Sequence, residues 1–374
     1  PDIWIQITVP NEFQAVGKFN IGITAGIEVD KPSGEFVEGM NRMNLGIVTS
    51  NFVKTVFKNA GVHVIDIGDG ILNVEFHTKM NAIGAEIIEG VNKAIDIAEK
   101  DFRGLVVGHQ GADFSLGANL GMVFMCAIEQ DYDELDFMVR AFQNTVMRLR
   151  YSSIPVVVCP QSRTLGGGCE MTMHADIAQA AAETYIGLVE VGVGLIPGGG
   201  GTKEFTKRVS DRMLEGDVEL NALQSAFMNI ATAKVALSGE DAREMGILRP
   251  QDRISVNKDR QILDAKAAVI ELAEAGYTMP VPAKNIRVMG KSGLALFAAG
   301  VTGMKMGNFI SEHDMKIAMK IANVMCGGDL SYPQEVSEQY LLDLEREAFV
   351  SLCGERKTLE RIQSILTGGK PLRN

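Results

Sequence analysis

The sequence of 374 residues has no long apolar run, no paired cysteine motif and no excess of positive charge. No apolar stretch reaches the roughly 18 residues of a membrane-spanning helix, so membrane insertion is not predicted. Acidic residues outnumber basic ones by 47 to 36, which gives a net charge of −11. This balance disfavours nucleic acid and anionic membranes as partners but leaves room for a local site that binds an anionic small molecule.

The five cysteines are scattered through apolar segments, and none belongs to a Cys-x-x-Cys pair. An odd number of isolated cysteines supports neither a disulfide framework nor a zinc knuckle. A reducing, cytoplasmic location is therefore predicted.

Motifs of several enzyme classes are incomplete. Residues 290–292 (GKS) resemble the end of a phosphate-binding loop, but Asn285 replaces its first glycine and no strand is predicted before it. The glycines that begin at Gly192 lead to Pro197, where a dinucleotide fingerprint needs glycine. The histidines lack metal-ligand spacing, and Gly-x-Ser-x-Gly is absent. A nucleoside triphosphatase, an NAD enzyme and a serine hydrolase are thus disfavoured, and no metal site is predicted.

Residues 1–57 alternate short apolar runs with turns and are predicted to form an N-terminal appendage. Period-two alternation near the start predicts a strand. Ser50 and Asn51 predict the cap of a short helix that carries Phe52, Val53 and Val56. This stretch resembles, in part, a nucleotide-sugar glycosyltransferase with two Rossmann domains, but it contains no complete site.

From residue 58 strands and helices alternate, which predicts an α/β architecture with helices packed against sheets. Two strands flank the hairpin signal Gly68-Asp69-Gly70. A helix is predicted from Asn81, followed by a buried strand near 104–109 and a loop over 111–121. The first helix has an apolar stripe of Ile83, Ile87, Ile88, Val91 and Ile95. A second helix has an apolar stripe of Leu135, Met138, Val139, Phe142, Val146 and Leu149.

After a further strand over 154–159, the chain is predicted to become mainly helical from 202 and all-helical over 281–374. Leu341, Leu344, Ala348 and Leu352 share a helical face that Gly354 ends. We therefore predict an α/β core over 58–260 and a helical C-terminal region over 261–374.

Three glycines, Gly166 to Gly168, stand between a β-branched strand and a helix. Amides in the first turn of a helix lack intrahelical acceptors and lie at the positive end of its dipole. They can therefore bind an anion or a developing oxyanion. Glu170, three residues beyond Gly167, lies on the same face; it either acts beside a bound carbonyl or merely complements the dipole.

Glu190 stands in the apolar run 186–193. Such a carboxyl group is either on an exposed strand face or buried with a raised pKa. Two carboxyl groups in different environments can divide acid and base roles.

Several motifs occur here in the order found in the enoyl-CoA hydratase/isomerase (crotonase) family. They are residues 80–83 (MNAI), 113–120 (DFSLGANL), 154–176 with LGGGCE, 190–202 (EVGVGLIPGGGGT) and 230–248. The chain resembles most the hydratase part of bacterial proteins that fuse it to a 3-hydroxyacyl-CoA dehydrogenase, and the tail 355–374 shares this likeness. The resemblance covers about 58–250, does not cover 1–57, and implies a crotonase-type spiral of strand-strand-helix units.

The resemblance also implies residue roles. The amides of Ala118 and Gly167 correspond to an oxyanion hole, and Glu170 and Glu190 to two catalytic glutamates. Lys79 falls where the family often has a basic residue near the CoA phosphates. The remaining residues implied in acyl-CoA binding are Leu116, Gly117, Asn119, Leu120 and Gly166.

Two departures from the family pattern occur. Asn119 replaces the usual aspartate, which removes a charge from the loop but leaves the amide of Ala118. The stretch 211–229 is longer than usual and is expected to reshape the acyl pocket or an interface.

The implied reaction is hydration of trans-2-enoyl-CoA to 3-hydroxyacyl-CoA in fatty-acid β-oxidation, without a metal or redox cofactor, since CoA is part of the substrate. A Δ3–Δ2 enoyl-CoA isomerase and a non-catalytic partner subunit are the alternatives. A homo-oligomer or association with a 3-hydroxyacyl-CoA dehydrogenase is expected.

Overall fold

The computed structural model describes residues 61–214 and 216–374, and before them 3–7, 14, 16, 19–24, 45–48 and 54–56. The strands are β1 (Ile3–Ile7), β2 (Phe19–Thr24), β3 (Leu45–Val48), β4 (Lys54–Val56), β5 (Val62–Asp66), β6 (Ile71–Phe76), β7 (Gly104–Val107), β8 (Val156–Val158), β9 (Arg163–Leu165), β10 (Ile177–Ala181), β11 (Tyr185–Gly187), β12 (Arg253–Ser255), β13 (Ile286–Val288) and β14 (Gln334–Val336).

The α-helices in these ranges are α1 (Ala85–Asp101), α2 (Leu120–Glu129), α3 (Tyr132–Arg150), α4 (Gly167–Met173), α5 (Gly201–Arg212), α6 (Glu219–Ala231), α7 (Gly239–Glu244), α8 (Gln261–Glu274), α9 (Gly290–Met306), α10 (Glu312–Met325), α11 (Glu338–Cys353) and α12 (Arg356–Leu366). Within the described ranges, no helix combines the length and the apolar character needed to cross a bilayer.

A seven-stranded sheet forms the framework, in the order β12-β10-β8-β7-β6-β5-β4. The strands from β6 to β12 in this order pair in parallel, and β4, β5 and β6 pair antiparallel. The predicted hairpin is confirmed: β5 and β6 are joined through Gly68, Asp69 and Gly70, which all have positive φ. Its two glycines enter this conformation without a Cβ penalty.

The sheet is covered on both faces, which agrees with the α/β prediction. On one face the residues of α1 and α3, including Ile87 and Val146, pack against Leu105 and Val156. On the other face α8 packs against the alternate strand residues Ile71, Val106 and Val157. The predicted division of the chain at residue 260 stays a prediction. The helix α8 begins just after that boundary, yet it packs against the sheet of the core.

The predicted helix start at Asn81 is wrong. Residues 79–81 form a 3-10 turn, and α1 begins at Ala85. Asn81 has a φ of 49° and donates its side-chain amide to the carbonyl of Asp113 at 2.9 Å. Its capping-type side chain is thus used to hold a loop and not to begin a helix. The predicted stripe is buried at Ile87, Val91 and Ile95.

Two more local predictions are corrected near the sheet. The predicted short helix after Asn51 is contradicted at 54–56, which form β4; Phe52 and Val53 lie outside the described residues. Pairing with β5 overrides the local capping signal. The loop predicted to reach residue 121 ends at Asn119, whose side chain accepts from Met122 N at 3.4 Å and caps α2.

The C-terminal region is not all-helical as predicted. β13 pairs antiparallel with β14 and ends one residue before the N-cap of α9, so a strand does stand shortly before residues 290–292. The apolar pattern of three-residue strands is too short to distinguish from a helix. The predicted stop at Gly354 is confirmed by the end of α11 at Cys353.

The helices of the C-terminal region share one apolar core with the helices around α4. Ile317, Met325 and Phe349 belong to the same buried cluster as Met173 and Phe205. The C-terminal region therefore packs directly against the elements that follow the glycine-rich motif. As predicted, residues 3–7 form a strand, which pairs in parallel with β2.

The contact between α1 and β5 can be tested at Gly90. An added Cβ would lie 2.7 Å from the Cβ of Val62, whereas at Gly300 in α9 nothing lies within 4 Å. We expect Gly90→Ala to lower the free energy of unfolding by about 1–3 kcal/mol. Gly300→Ala should raise it by about 0.5–1 kcal/mol, because alanine favours the helix. Urea unfolding measures both; equal stabilisation by the two variants would contradict the close packing.

Candidate active site

The glycine-rich junction between β9 and α4 is the centre of the candidate site. Gly166 has φ 54° and ψ −121°, a conformation that disfavours residues with a Cβ. A Cβ there would also lie 2.8 Å from Oε1 of Glu190. Glycine at this position therefore allows the Glu190 carboxyl group to approach the backbone.

The loop over 113–119 lies against this junction. A Cβ on Gly117 would lie 3.3 Å from the amide nitrogen of Gly167. Ile83 fixes the loop on both sides of Ala118: its N–H donates to Gly117 O at 2.8 Å, and its carbonyl accepts from Asn119 N at 2.9 Å. Ala118 is thereby held beside Gly167 although the two are far apart in sequence.

Two backbone amides remain available at this place. Among the hydrogen bonds of the described residues, neither Ala118 N nor Gly167 N is a donor. Gly167 is the first residue of α4, where an amide has no intrahelical acceptor. Two free N–H donors on adjacent segments have the arrangement that an oxyanion requires.

Glu170 is buried, with 2% of its surface exposed. Its Oε1 accepts hydrogen bonds from Gly199 N at 2.7 Å and Gly201 N at 2.8 Å. No described residue donates to its Oε2. Burial raises the pKa of Glu170 to about 7, against the opposing effect of the two amides and of Lys203. The group can therefore exchange a proton near neutral pH.

Glu190 begins a 3-10 turn, Glu190–Val193, that follows β11. The residue as a whole is partly exposed, but its Oε2 is buried and no described group hydrogen-bonds to it. Burial, and next the charge of Glu170, raise the pKa of Glu190 well above its ordinary value. The protonated form of Glu190 is therefore favoured by burial and by the neighbouring Glu170.

Apolar side chains close the space between these groups. A Cβ on Gly167 would lie 3.1 Å from Cδ1 of Ile83 and 3.3 Å from the ring of Phe142. A Cβ on Gly199 would overlap the same ring and lie 2.7 Å from Oε2 of Glu170. Phe142 therefore lies beside both glycine segments and forms an apolar wall next to Glu170.

A network of buried charges supports the helix that carries Glu170. Lys203 Nζ donates to Glu338 Oε2 at 2.9 Å and to Glu204 Oε2 at 3.2 Å. It also lies 2.9 Å from His174 Nε2, and the other ring nitrogen of His174 lies 2.7 Å from the Glu170 carbonyl. Burial lowers the pKa of His174 far below its ordinary value, so this ring is neutral.

The structure brings together most of the predicted site residues. The loop residues and both glutamates converge on Gly166 and Gly167, as described above. Lys79 is exposed in the 3-10 turn, which adjoins the loop through a hydrogen bond from Leu116 N to Met80 O at 3.3 Å. Leu120 begins α2. The roles assigned to these residues, including contact of Lys79 with CoA, stay predictions.

Sequence reasoning missed the partners of Glu170. Gly199 and Gly201 belong to a quoted motif, but nothing local indicates that their amides bind a carboxylate. A second buried carboxylate, Glu345, binds the same turn. The sequence does contain a signal for Glu345, because this charged residue interrupts the apolar face of α11 between Leu341 and Ala348.

Two further features lie outside this site. Glu75 pairs in register with His63, and these residues and His77 place ligand atoms within 4.8 Å of one another, a spacing a metal ion can bridge. Strand pairing creates this group, so sequence spacing did not reveal it.

A cavity of about 470 Å³ lies between α5 and α6, but none of its lining residues is a predicted site residue. The effect of 211–229 on an acyl pocket stays a prediction.

Residues 66–250 match the sequence profile of the family described as enoyl-CoA hydratase/isomerase. A Bacillus subtilis (strain 168) protein named as a 3-hydroxyacyl-CoA dehydrogenase is 47% identical over 85% of this chain and 40% of its own length. A Rickettsia felis protein named as a trifunctional enzyme of a fatty acid oxidation complex is 28% identical over 83% of this chain and 39% of its length. This chain thus spans about 40% of the length of these relatives.

The fold is similar to two solved structures. An enoyl-CoA hydratase from Bacillus halodurans superposes with a TM-score of 0.55 at 17% identity, covering 82% of this chain and 100% of that one. A carnitinyl-CoA dehydratase from Mycobacterium thermoresistibile gives 0.59 at 16% identity, covering 83% and 91%. The likeness confirms the predicted crotonase-type fold.

Ionisation of Glu170 should reduce the stability of the folded protein. Its pKa is raised from 4.5 to about 7, so between these pH values the folded state retains a proton that the unfolded chain releases. The contribution of this raised pKa to the free energy of unfolding is therefore largest below pH 4.5 and declines as the pH rises to about 7. Glu170→Gln stays neutral, so its free energy of unfolding relative to the parent should increase over this interval. Urea unfolding across pH measures the difference.

The exposed Glu129 provides a matched control, since Glu129→Gln makes the same substitution at a side chain that is not buried. A difference between parent and Glu170→Gln that stays constant with pH would show that the Glu170 pKa is not raised.

Proposed function

Since residues 66–250 belong to the enoyl-CoA hydratase/isomerase family, we propose that this chain hydrates trans-2-enoyl-CoA thioesters to 3-hydroxyacyl-CoA in fatty-acid oxidation. One observation supports this reaction above all. Two free backbone amides and two buried carboxyl groups with raised pKa values meet around Gly166 and Gly167.

The two amides serve the thioester. The N–H groups of Ala118 and Gly167 donate to its carbonyl oxygen, whose negative charge develops fully only in the enolate. Interactions that strengthen toward the transition state raise the rate, whereas equal binding of the substrate does not. Both donors are held by the backbone, so no reorganisation is needed when the charge develops.

The two carboxyl groups divide the proton transfers. Ionised Glu170 accepts a proton from water as the water oxygen bonds to C3, and the electron pair of the C2=C3 bond moves toward the thioester. Protonated Glu190 then delivers a proton to C2. Glu170 gains one proton and Glu190 loses one, so the net reaction adds one water. Transfer of a proton from Glu170 to Glu190 then restores the starting state of the pair.

No metal or redox group takes part in this proposed sequence, and CoA serves as the handle of the substrate. The exposed amine of Lys79 is proposed to contact the CoA phosphates.

The longer relatives named for 3-hydroxyacyl-CoA dehydrogenase and fatty acid oxidation complexes support a further proposal. The product would be oxidised by a dehydrogenase unit that is fused to, or associates with, this region.

Loss of the enoyl thioester absorbance of crotonyl-CoA, and of a longer homologue, tests the reaction directly. Conversion of a 3-enoyl-CoA without hydration would identify an isomerase, for which one glutamate suffices. Failure to bind either thioester in a titration would identify a non-catalytic partner subunit.

Removing either carboxyl group should block hydration. We expect Glu170→Gln and Glu190→Gln each to lower kcat by roughly 10²–10⁴-fold, the usual contribution of a positioned acid or base. Binding of the thioester should be nearly unchanged, since glutamine preserves the shape. Steady-state kinetics with crotonyl-CoA measures both; hydration at the parental rate by Glu190→Gln would refute the two-glutamate mechanism.

The contribution of the Gly167 N–H can be separated from the effect of adding a side chain at this position. Gly167→Pro deletes the N–H, and loss of one such donor costs on the order of 10²–10³ in kcat. Gly167→Ala keeps the N–H and adds a Cβ 3.1 Å from the end of the Ile83 side chain, so its loss should be much smaller. Kinetics of both, with circular dichroism to verify folding, tests the assignment; equal rates for the two variants would contradict it.

A further inference from the structure

Two carboxylates from distant parts of the chain bind one glycine turn. Gly199 N and Gly201 N donate to Oε1 of Glu170 at 2.7 and 2.8 Å. Gly200 N donates to Oε1 of Glu345 at 2.5 Å, and Lys203 N donates to its Oε2 at 3.0 Å. The amides that begin α5 thus alternate between the two carboxylates.

Glu345 comes from α11, beyond the matched residues 66–250. It is fully buried and points from the apolar face of that helix toward the N-terminus of α5. A buried carboxylate is costly without hydrogen bonds, and both of its oxygens have them. Gly200, with φ 98°, is the N-cap of α5, so Glu345 holds the turn at the residue that begins this helix.

We propose that Glu345 is a positioning residue for the reaction at Glu170: by holding Gly200 N and Lys203 N, it fixes the turn whose other amides orient the Glu170 carboxylate. This proposal rests on the proposed hydration. With Oε1 held by Gly199 and Gly201, Oε2 of Glu170 is the oxygen left for water. Release of the turn would let the carboxylate rotate away from that position.

The electrostatics agree with a shared turn. Burial, and next the charge of Glu170, raise the pKa of Glu345 to about 8. The charge of Glu345 in turn contributes to the raised pKa of Glu190. The charge of Lys203, which lowers the pKa of both Glu170 and Glu345, is also paired with Glu338 and Glu204. The carboxyl groups of Glu170 and Glu345 therefore share the N-terminus of α5, whose amides partly offset the cost of burying them.

The test compares Glu345→Gln with the parent and with Arg346→Gln. Glutamine cannot accept from both amides, because one end of its amide group is a donor. We expect Glu345→Gln to lower kcat for crotonyl-CoA by roughly 10- to 100-fold, the scale of a small misplacement of a catalytic group. KM should stay within about twofold, because the oxyanion donors of Ala118 and Gly167 are unchanged.

Arg346 is the matched control on the same helix. It is 8% exposed and pairs with Asp136 at 2.7 Å and Asp343 at 2.9 Å, away from the glycine turn. Arg346→Gln should lower Tm yet keep kcat per folded molecule. Parental kcat in Glu345→Gln, or an equal loss of kcat in Arg346→Gln, would overturn the positioning role. If Glu345→Gln does not fold, Glu345→Asp, which is one methylene shorter, should give the same kcat-specific loss.

Crystal structures of the parent and Glu345→Gln separate this proposal from the proposed function. We expect the variant to lose at least one of the hydrogen bonds from Gly199 and Gly201 to Glu170. An unmoved Glu170 carboxylate would overturn the positioning role even if the parent hydrates crotonyl-CoA. A parent that hydrates no enoyl-CoA would instead refute the function, while a displaced Glu170 in the variant would still support the contact between α11 and the turn.

Discussion

The free-energy cost of burying the Glu170 carboxylate among apolar side chains constrains this site more than any other interaction. Glu170 lies in the interior, where charge is unfavourable, and the amides of Gly199 and Gly201 hydrogen-bond to one of its oxygens. Those amides are available because they precede or begin α5 and have no intrahelical acceptor. The same burial that makes the carboxylate costly raises its pKa to about 7, so the group can exchange a proton near neutral pH.

This constraint ties the glycine-rich site to the C-terminal helices. The turn that holds Glu170 also holds Glu345, and α11 shares its apolar core with α4 and α5. Lys203 extends the connection by pairing with Glu338 at the start of α11. The C-terminal region is thus part of the environment of the site, and the charge of its Glu345 contributes to the raised pKa of Glu190.

Local patterns predicted the elements with strong signals. The hairpin at Gly68-Asp69-Gly70 and the buried strand at β7 depend on turn chemistry and apolar runs, which act over a few residues. Errors arose where tertiary contacts overrode local preference. Asn81 binds the loop carbonyl of Asp113 instead of capping a helix, and pairing with β5 makes residues 54–56 a strand. Neither partner is near in sequence, so no local pattern contains this information.

The sequence alone determined the chemical groups of the site: glycines at a strand–helix junction, a glutamate three residues later, and Glu190 in an apolar run. These choices are local, because backbone freedom and hydrophobicity belong to each residue and its neighbours. Only the tertiary structure decided that Ala118 lies beside Gly167, that Glu190 approaches Gly166, and that Glu345 shares a turn with Glu170. Such contacts join segments far apart in the chain, and their pKa values follow from burial, which exists only once the chain has folded.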